Sequence, residues 1–183
     1  DLILMYSSTE KKPTLLSEYV ARMKDGAECI YYACGESEEK IDALPQLEKL
    51  KEEGGEILYC TQRVDEFCLM ALNEYGGKKF VNALKSDSDK EEKGENKDKS
   101  KELLQSVKKL LNGKVNKVRL SSRMKSHASC ITADGEISLE MERVFAASGQ
   151  PVKADRVLEL NPEHALFKKL EKEYENGGDY ETV

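Results

Sequence analysis

From Lys85 to Lys101 the chain offers lysine, aspartate, glutamate, serine, asparagine and glycine, and not one apolar side chain. Such a stretch cannot bury enough surface to offset its ordering entropy, so it cannot lie inside a core. It divides the apolar residues of the 183-residue chain into two groups, each sufficient for one small domain with a modest core. The expected organisation is a first domain over 1–85, a mobile charged linker over 86–101 and a second domain over 102–183. Lysines and acids are mixed along the linker with almost no net charge, which describes a solvated tether rather than a binding arm.

Between Thr14 and Leu84, amphipathic segments alternate with short apolar runs, the signature of βαβ units on a parallel sheet. The first domain is therefore expected to be a three-layer α/β/α unit with a short parallel sheet, its strands at 30–33, 57–59 and 80–84. Ser17 reads as the cap of a first helix with Tyr19, Val20 and Met23 on one face, ended by Gly26. Ser37 caps a second helical segment, which Pro45 interrupts. A third helix places Val64, Phe67, Cys68, Ala71 and Leu72 on one stripe, with Gly76-Gly77 as its terminator. The second domain reads as α+β, a small sheet with helices. A helix through Leu103 and Leu111 is closed by Asn112-Gly113, and strands are expected near 115–120, 129–132 and 156–160. A further helix occupies about 134–148, and a last one starts with Asn161 as cap and Pro162 as its first residue.

Charge and composition exclude several functions. A net charge of −6 leaves no basic face to neutralise a phosphate backbone, so no nucleic-acid partner is expected. No run of eighteen apolar residues exists, so no membrane helix is expected either. The five cysteines form no C-x-x-C pair, which fits reduced thiols in a cytoplasmic protein. Asp1 opens directly into a short apolar run without the positive lead of a signal peptide, as in a piece of a longer chain.

Catalytic groups are scarce. Neither G-x-x-x-x-G-K-[ST] nor G-x-G-x-x-G occurs, and the double glycines follow helices, where ending a helix explains them. Of two histidines, His164 stands where a helix begins and reads as a cap or surface residue. Cys130 with His127 is the one thiol–imidazole pair that a strand would hold close, but a nucleophile also needs an oxyanion site. Zinc collects four ligands at tight spacing, and no such set occurs. No catalytic, cofactor or metal residues are assigned. One feature stands apart: Ile137, Met141, Val144 and Phe145 recur at i, i+4, i+7 and i+8. A core helix shows such a stripe; left exposed, a flexible thioether and a phenyl ring suit loosely specified apolar partners.

Several stretches together resemble one known family. Ser17-Glu18-Tyr19-Val20-Ala21-Arg22-Met23-Lys24 and Ile30-Tyr31-Tyr32-Ala33 are similar to the end of the middle domain of the heat shock protein 90 chaperones. Val64-Asp65-Glu66-Phe67, Glu74-Tyr75-Gly76-Gly77-Lys78-Lys79-Phe80-Val81 and Leu160-Asn161-Pro162-Glu163-His164 follow in the order that family would show. The resemblance implies a fragment that joins the middle domain to a C-terminal domain, truncated before its dimerisation helices. It implies a homodimeric, ATP-dependent stress-response chaperone whose ATP and magnesium site lies before Asp1, so that this fragment is itself no enzyme and holds no cofactor. The implied partners are unfolded or partly folded client proteins, a second copy of the chain and a heat shock protein 70-type chaperone. The segment from Glu136 to Gln150 matches an amphipathic helix implicated in client contact, which carries that role onto Ile137, Met141, Val144 and Phe145. Two other readings remain open from the residues alone: a small thiol- or nucleotide-dependent α/β enzyme, and a passive interaction module in which the apolar helix docks one fixed partner.

Overall fold

The computed structural model describes residues 3–24, 26–85 and 97–177, and the chain divides into two compact units between Leu84 and Lys85. In the first unit the elements run β1 (Leu4–Ser7), β2 (Pro13–Leu15), α1 (Leu16–Arg22), β3 (Cys29–Cys34), α2 (Glu38–Asp42), a 3₁₀ turn (Pro45–Leu47), α3 (Glu48–Glu52), β4 (Ile57–Cys60), α4 (Asp65–Leu72), β5 (Glu74–Tyr75) and β6 (Lys78–Asn82). They build one six-stranded sheet in the order β2-β1-β4-β3-β6-β5. Its centre, β4-β3-β6, is parallel, as expected. The rest was not foreseen: β1 pairs antiparallel with both β2 and β4, and β5 pairs antiparallel with β6. Each of those strands is so short that its own pattern is uninformative, and pairing to a formed neighbour defines it.

Strand alternation sends neighbouring side chains to opposite faces. Ile30, Tyr32, Cys34, Leu58 and Cys60 join Met5, Leu16, Tyr19 and Leu69 in one core. Ala33, Ile57 and Tyr59 join Ile41 and Leu47 in the other. Helices α1 and α4 thus cover one face and the α2–α3 segment the other, which is the three-layer α/β/α arrangement. Burial on both faces explains why β3 and β4 read as continuous apolar runs rather than alternating ones.

Local chemistry departs from expectation at several points. Ser17 lies inside α1; the cap is Leu15, whose amide donates to Glu18 Oε2 at 2.9 Å. Ser37 does cap α2, accepting from the Lys40 amide. Helix α4 ends at Asn73, with φ of 61°, rather than at the glycines. Gly76 and Gly77, with φ of 57° and 73°, instead make the two-residue turn of the β5–β6 hairpin. Positive φ at both positions is what such a turn requires, and glycine adopts it without steric cost. The α4 stripe is also different: of its members Val64 is 62% exposed and Leu72 40%, with Cys68 and Ala71 exposed as well, whereas Glu66 and Leu69 are buried. Asn82 Nδ2 donates to Glu66 Oε1 at 2.7 Å, and Leu69 enters the core beside β3, so packing against the sheet turns the expected stripe outward.

The second unit runs α5 (Lys97–Leu110), β7 (Lys117–Leu120), β8 (Ser129–Asp134), α6 (Leu139–Ala147), β9 (Asp155–Leu160) and α7 (Ala165–Glu175). Its sheet has the order β7-β9-β8, β7 parallel and β8 antiparallel to the central β9. Most of the expected linker lies outside the described residues, but its last part, from Lys97, already belongs to α5. Helix α7 is capped by His164, whose Nδ1 accepts from the Leu166 amide at 3.2 Å. Asn161 was expected in that role; it is buried and holds the preceding loop, its Nδ2 donating to the His127 carbonyl at 3.0 Å and its Oδ1 accepting from the Glu163 amide at 3.0 Å. A charged cluster lies within this sheet. Glu159 on β9 has no exposed side-chain surface and receives Arg119 at 2.8 Å, Arg123 at 3.0 Å and Thr132 Oγ1 at 3.0 Å.

Candidate functional site

Helix α6 carries the residues that the sequence singles out. Ser138 opens it: the hydroxyl accepts from the Met141 amide at 3.0 Å, satisfying one of the donors a helix start leaves orphaned. Its end is a Schellman motif. The Gly149 amide donates to the Ala146 carbonyl at 3.1 Å and the Gln150 amide to the Phe145 carbonyl at 2.9 Å, while Gly149 adopts φ of 76°.

Glu142 pins the helix to the sheet side. Its carboxylate accepts from the Ala154 amide at 3.0 Å and from Arg156 Nη2 at 2.8 Å. Burial opposes the charge, but the Ala154 amide and the Arg156 guanidinium outweigh it, so the carboxyl lies below the usual carboxylate range. With Glu142 fixed, the preceding residue, Met141, faces the interior and is 5% exposed.

The four candidates therefore do not share one environment. Met141 belongs to the unit's own interior, whereas Ile137, Val144 and Phe145 are half-buried. Ile137 precedes the helix, and Ala146 and Ala147 continue the exposed surface past Phe145. The stripe runs from core to rim, and its rim end offers apolar surface on a helix locked at both ends. Sequence periodicity groups these residues but cannot rank their exposure, because exposure depends on how Glu142 sets the helix rotation.

The remaining candidates are spread out. Cys130 is buried on β8, and His127 is exposed in the loop before it, Nδ1 3.0 Å from Ser126 Oγ. Among the described residues no group of three or more His, Cys, Asp or Glu is placed to hold a metal ion. Among them, too, no helix is long and apolar enough to cross a membrane.

Comparison with known proteins gives one consistent answer. The model of the family described as Hsp90 protein matches residues 1–183. The chaperone protein HtpG of Shouchella clausii is 48% identical over 98% of this chain and 30% of its own length. HtpG of Halalkalibacterium halodurans is 46% identical and that of Clostridium acetobutylicum 44% identical, each over 98% of this chain and 30% of its own length. The chain thus spans about 30% of the length of the curated relatives it matches. A match of this extent and identity establishes that the chain belongs to the Hsp90 protein family.

Proposed function

We propose that this chain is the part of an HtpG-type chaperone that joins the middle domain to the C-terminal domain and presents, on α6, an apolar surface for client proteins. The observation that carries the reading is the rim of the α6 stripe: Val144 and Phe145 half-buried on a helix whose two ends are fixed by Ser138 and Gly149. A rigid helix presenting incompletely buried apolar side chains contacts an apolar partner with little ordering cost to itself.

Within this reading the whole protein is a homodimer that uses ATP with magnesium and cooperates with a heat shock protein 70-type chaperone in the cytoplasm. Client affinity that differs between open and closed dimers couples nucleotide to folding, because a ligand shifts an equilibrium only by its differential affinity for the two states. The part described here does no chemistry of its own in that cycle.

The test is binding of a partly unfolded model protein to the chain and to its Val144→Asp/Phe145→Asp variant, with circular dichroism of both. Binding about tenfold or more weaker with an unchanged spectrum supports the α6 surface; a tenfold change corresponds to about 1.4 kcal/mol. Equal binding by both forms moves client contact to another surface.

A further inference from the structure

Cys34 ends β3 and Cys60 ends β4, and the two are register partners across the parallel β3–β4 pair. Both side chains enter the same face of the sheet, in the core with Met5, Leu58 and Leu69. Cys34 is 6% exposed and Cys60 1%. Cys60 Sγ lies 3.9 Å from both Met5 Sδ and the Leu58 carbonyl. Neighbouring strands run about 4.8 Å apart, which falls within the roughly 4.4–6.8 Å that the Cα atoms of a disulfide span. Both cysteines are free thiols here. Sequence separation hides this pair, and the parallel register makes it.

We propose that Cys34 and Cys60 are a redox-responsive pair that closes to a disulfide between β3 and β4 when the chain meets a low-molecular-weight disulfide. One cysteine, as thiolate, attacks a sulfur of the small disulfide, forming a mixed disulfide and expelling one small thiolate, which takes up a proton. The second cysteine then attacks the protein-side sulfur of the mixed disulfide and expels the other small thiol. One S–S bond breaks in the reagent and one forms in the protein; the two cysteines lose two electrons and two protons, and the reagent gains them as two thiols. The adjacent Cys60 thiol and burial push the Cys34 thiol up, so little thiolate forms while the strands are closed and the pair reacts when the strand ends open. Both residues are the last of their strands, next to the chain segments that leave the sheet, where local opening is least costly. Closure would tie down the segment that carries α2 and α3. None of this depends on the chaperone reading.

The experiment incubates the chain with oxidised glutathione in mildly alkaline buffer, alkylates the remaining thiols in denaturant and maps the digest without reduction by mass spectrometry. The expected result is a Cys34–Cys60 linked peptide pair that disappears with dithiothreitol. In the Cys34→Ala and Cys60→Ala variants, checked by circular dichroism, the link is absent and the remaining partner carries one glutathione. The proposal is overturned if Cys34 and Cys60 are both recovered alkylated while the exposed Cys68 carries glutathione, or if the links join other cysteines. The map of the unmodified sequence decides the matter even where a variant fails to fold.

Discussion

Glu159 shows how a single carboxylate is held ionised without solvent. Burial pushes its carboxyl up, but Arg123, the Ser121 hydroxyl and Arg119 outweigh burial, leaving it below the ordinary value of 4.5. A depressed folded value means that Glu159 stabilises the unit above about pH 4.5 and that this contribution is lost as pH falls through the lower folded value. Glu159→Gln leaves Arg119 and Arg123 without their counter-charge. We expect a loss of about 3 kcal/mol, at the lower end for broken buried pairs because both arginines keep some exposure. Urea unfolding at neutral pH measures it, and the acid limb of stability should flatten. In the first unit Asp42 is lowered to about 2 by the Tyr59 hydroxyl and then by Lys51. Its stabilisation is present above its ordinary value of 3.8 and is lost as pH falls toward 2. Tyr59→Phe should move the Asp42 carboxyl back toward 3.8, read by carboxyl-carbon NMR titration; an unmoved titration would assign the effect to the lysines, Lys51 and Lys11. Neither cluster was legible in the sequence. Charged residues far apart along the chain give no local sign of meeting, and only strand register brings them together.

Helix ends were legible only in part: Ser37 caps as expected, whereas Ser17, Gly76-Gly77 and Asn161 do not hold the ends they were expected to. Ser37 caps as its residue type and position suggest, because a short hydroxyl side chain beside the first turn needs no distant partner; Ser138 caps α6 in the same way, four residues after the start near 134 that the sequence suggested. Ser138→Ala should cost about 1 kcal/mol, and Gly149→Ala a similar amount because alanine is strained at positive φ. Thermal denaturation followed at the helical band measures both, and a shift for Ser138→Ala without one for Gly149→Ala would deny the Schellman end its role. Faces failed where two apolar stripes competed. On α4 the row of Val64, Cys68 and Leu72 is as apolar as a core face, yet the sheet selects Leu69 and Glu66 because Asn82 on β6 waits for a carboxylate there. On α6 the four residues of the stripe lie at different depths: Ile137 precedes the helix, Met141 is buried, and Val144 and Phe145 are half-buried.

At the scale of the whole chain, each unit holds its own buried residues: the two faces of the six-stranded sheet in one, and Leu103, Met124, Met141, Val157 and Phe167 in the other. Leu69 has no exposed surface, so Leu69→Ala should cost about 2–5 kcal/mol in the first unit. Hydrogen exchange should show faster opening of β3, β4 and β6 and unchanged protection of β8 and β9; equal acceleration of both sheets would show that the units unfold as one. The sequence by itself determined that there are two groups of apolar residues, that the first alternates strands with helices about a parallel centre, and that the chain resembles the heat shock protein 90 family. Those properties are written in local periodicity and in contiguous motifs. Tertiary structure alone decided the antiparallel strands β1, β2 and β5, the inward face of α4, the depth of each residue on α6 and the meetings of Cys34 with Cys60 and of Glu159 with its arginines. Each of these depends on register and helix rotation, which are fixed by contacts between residues distant along the chain.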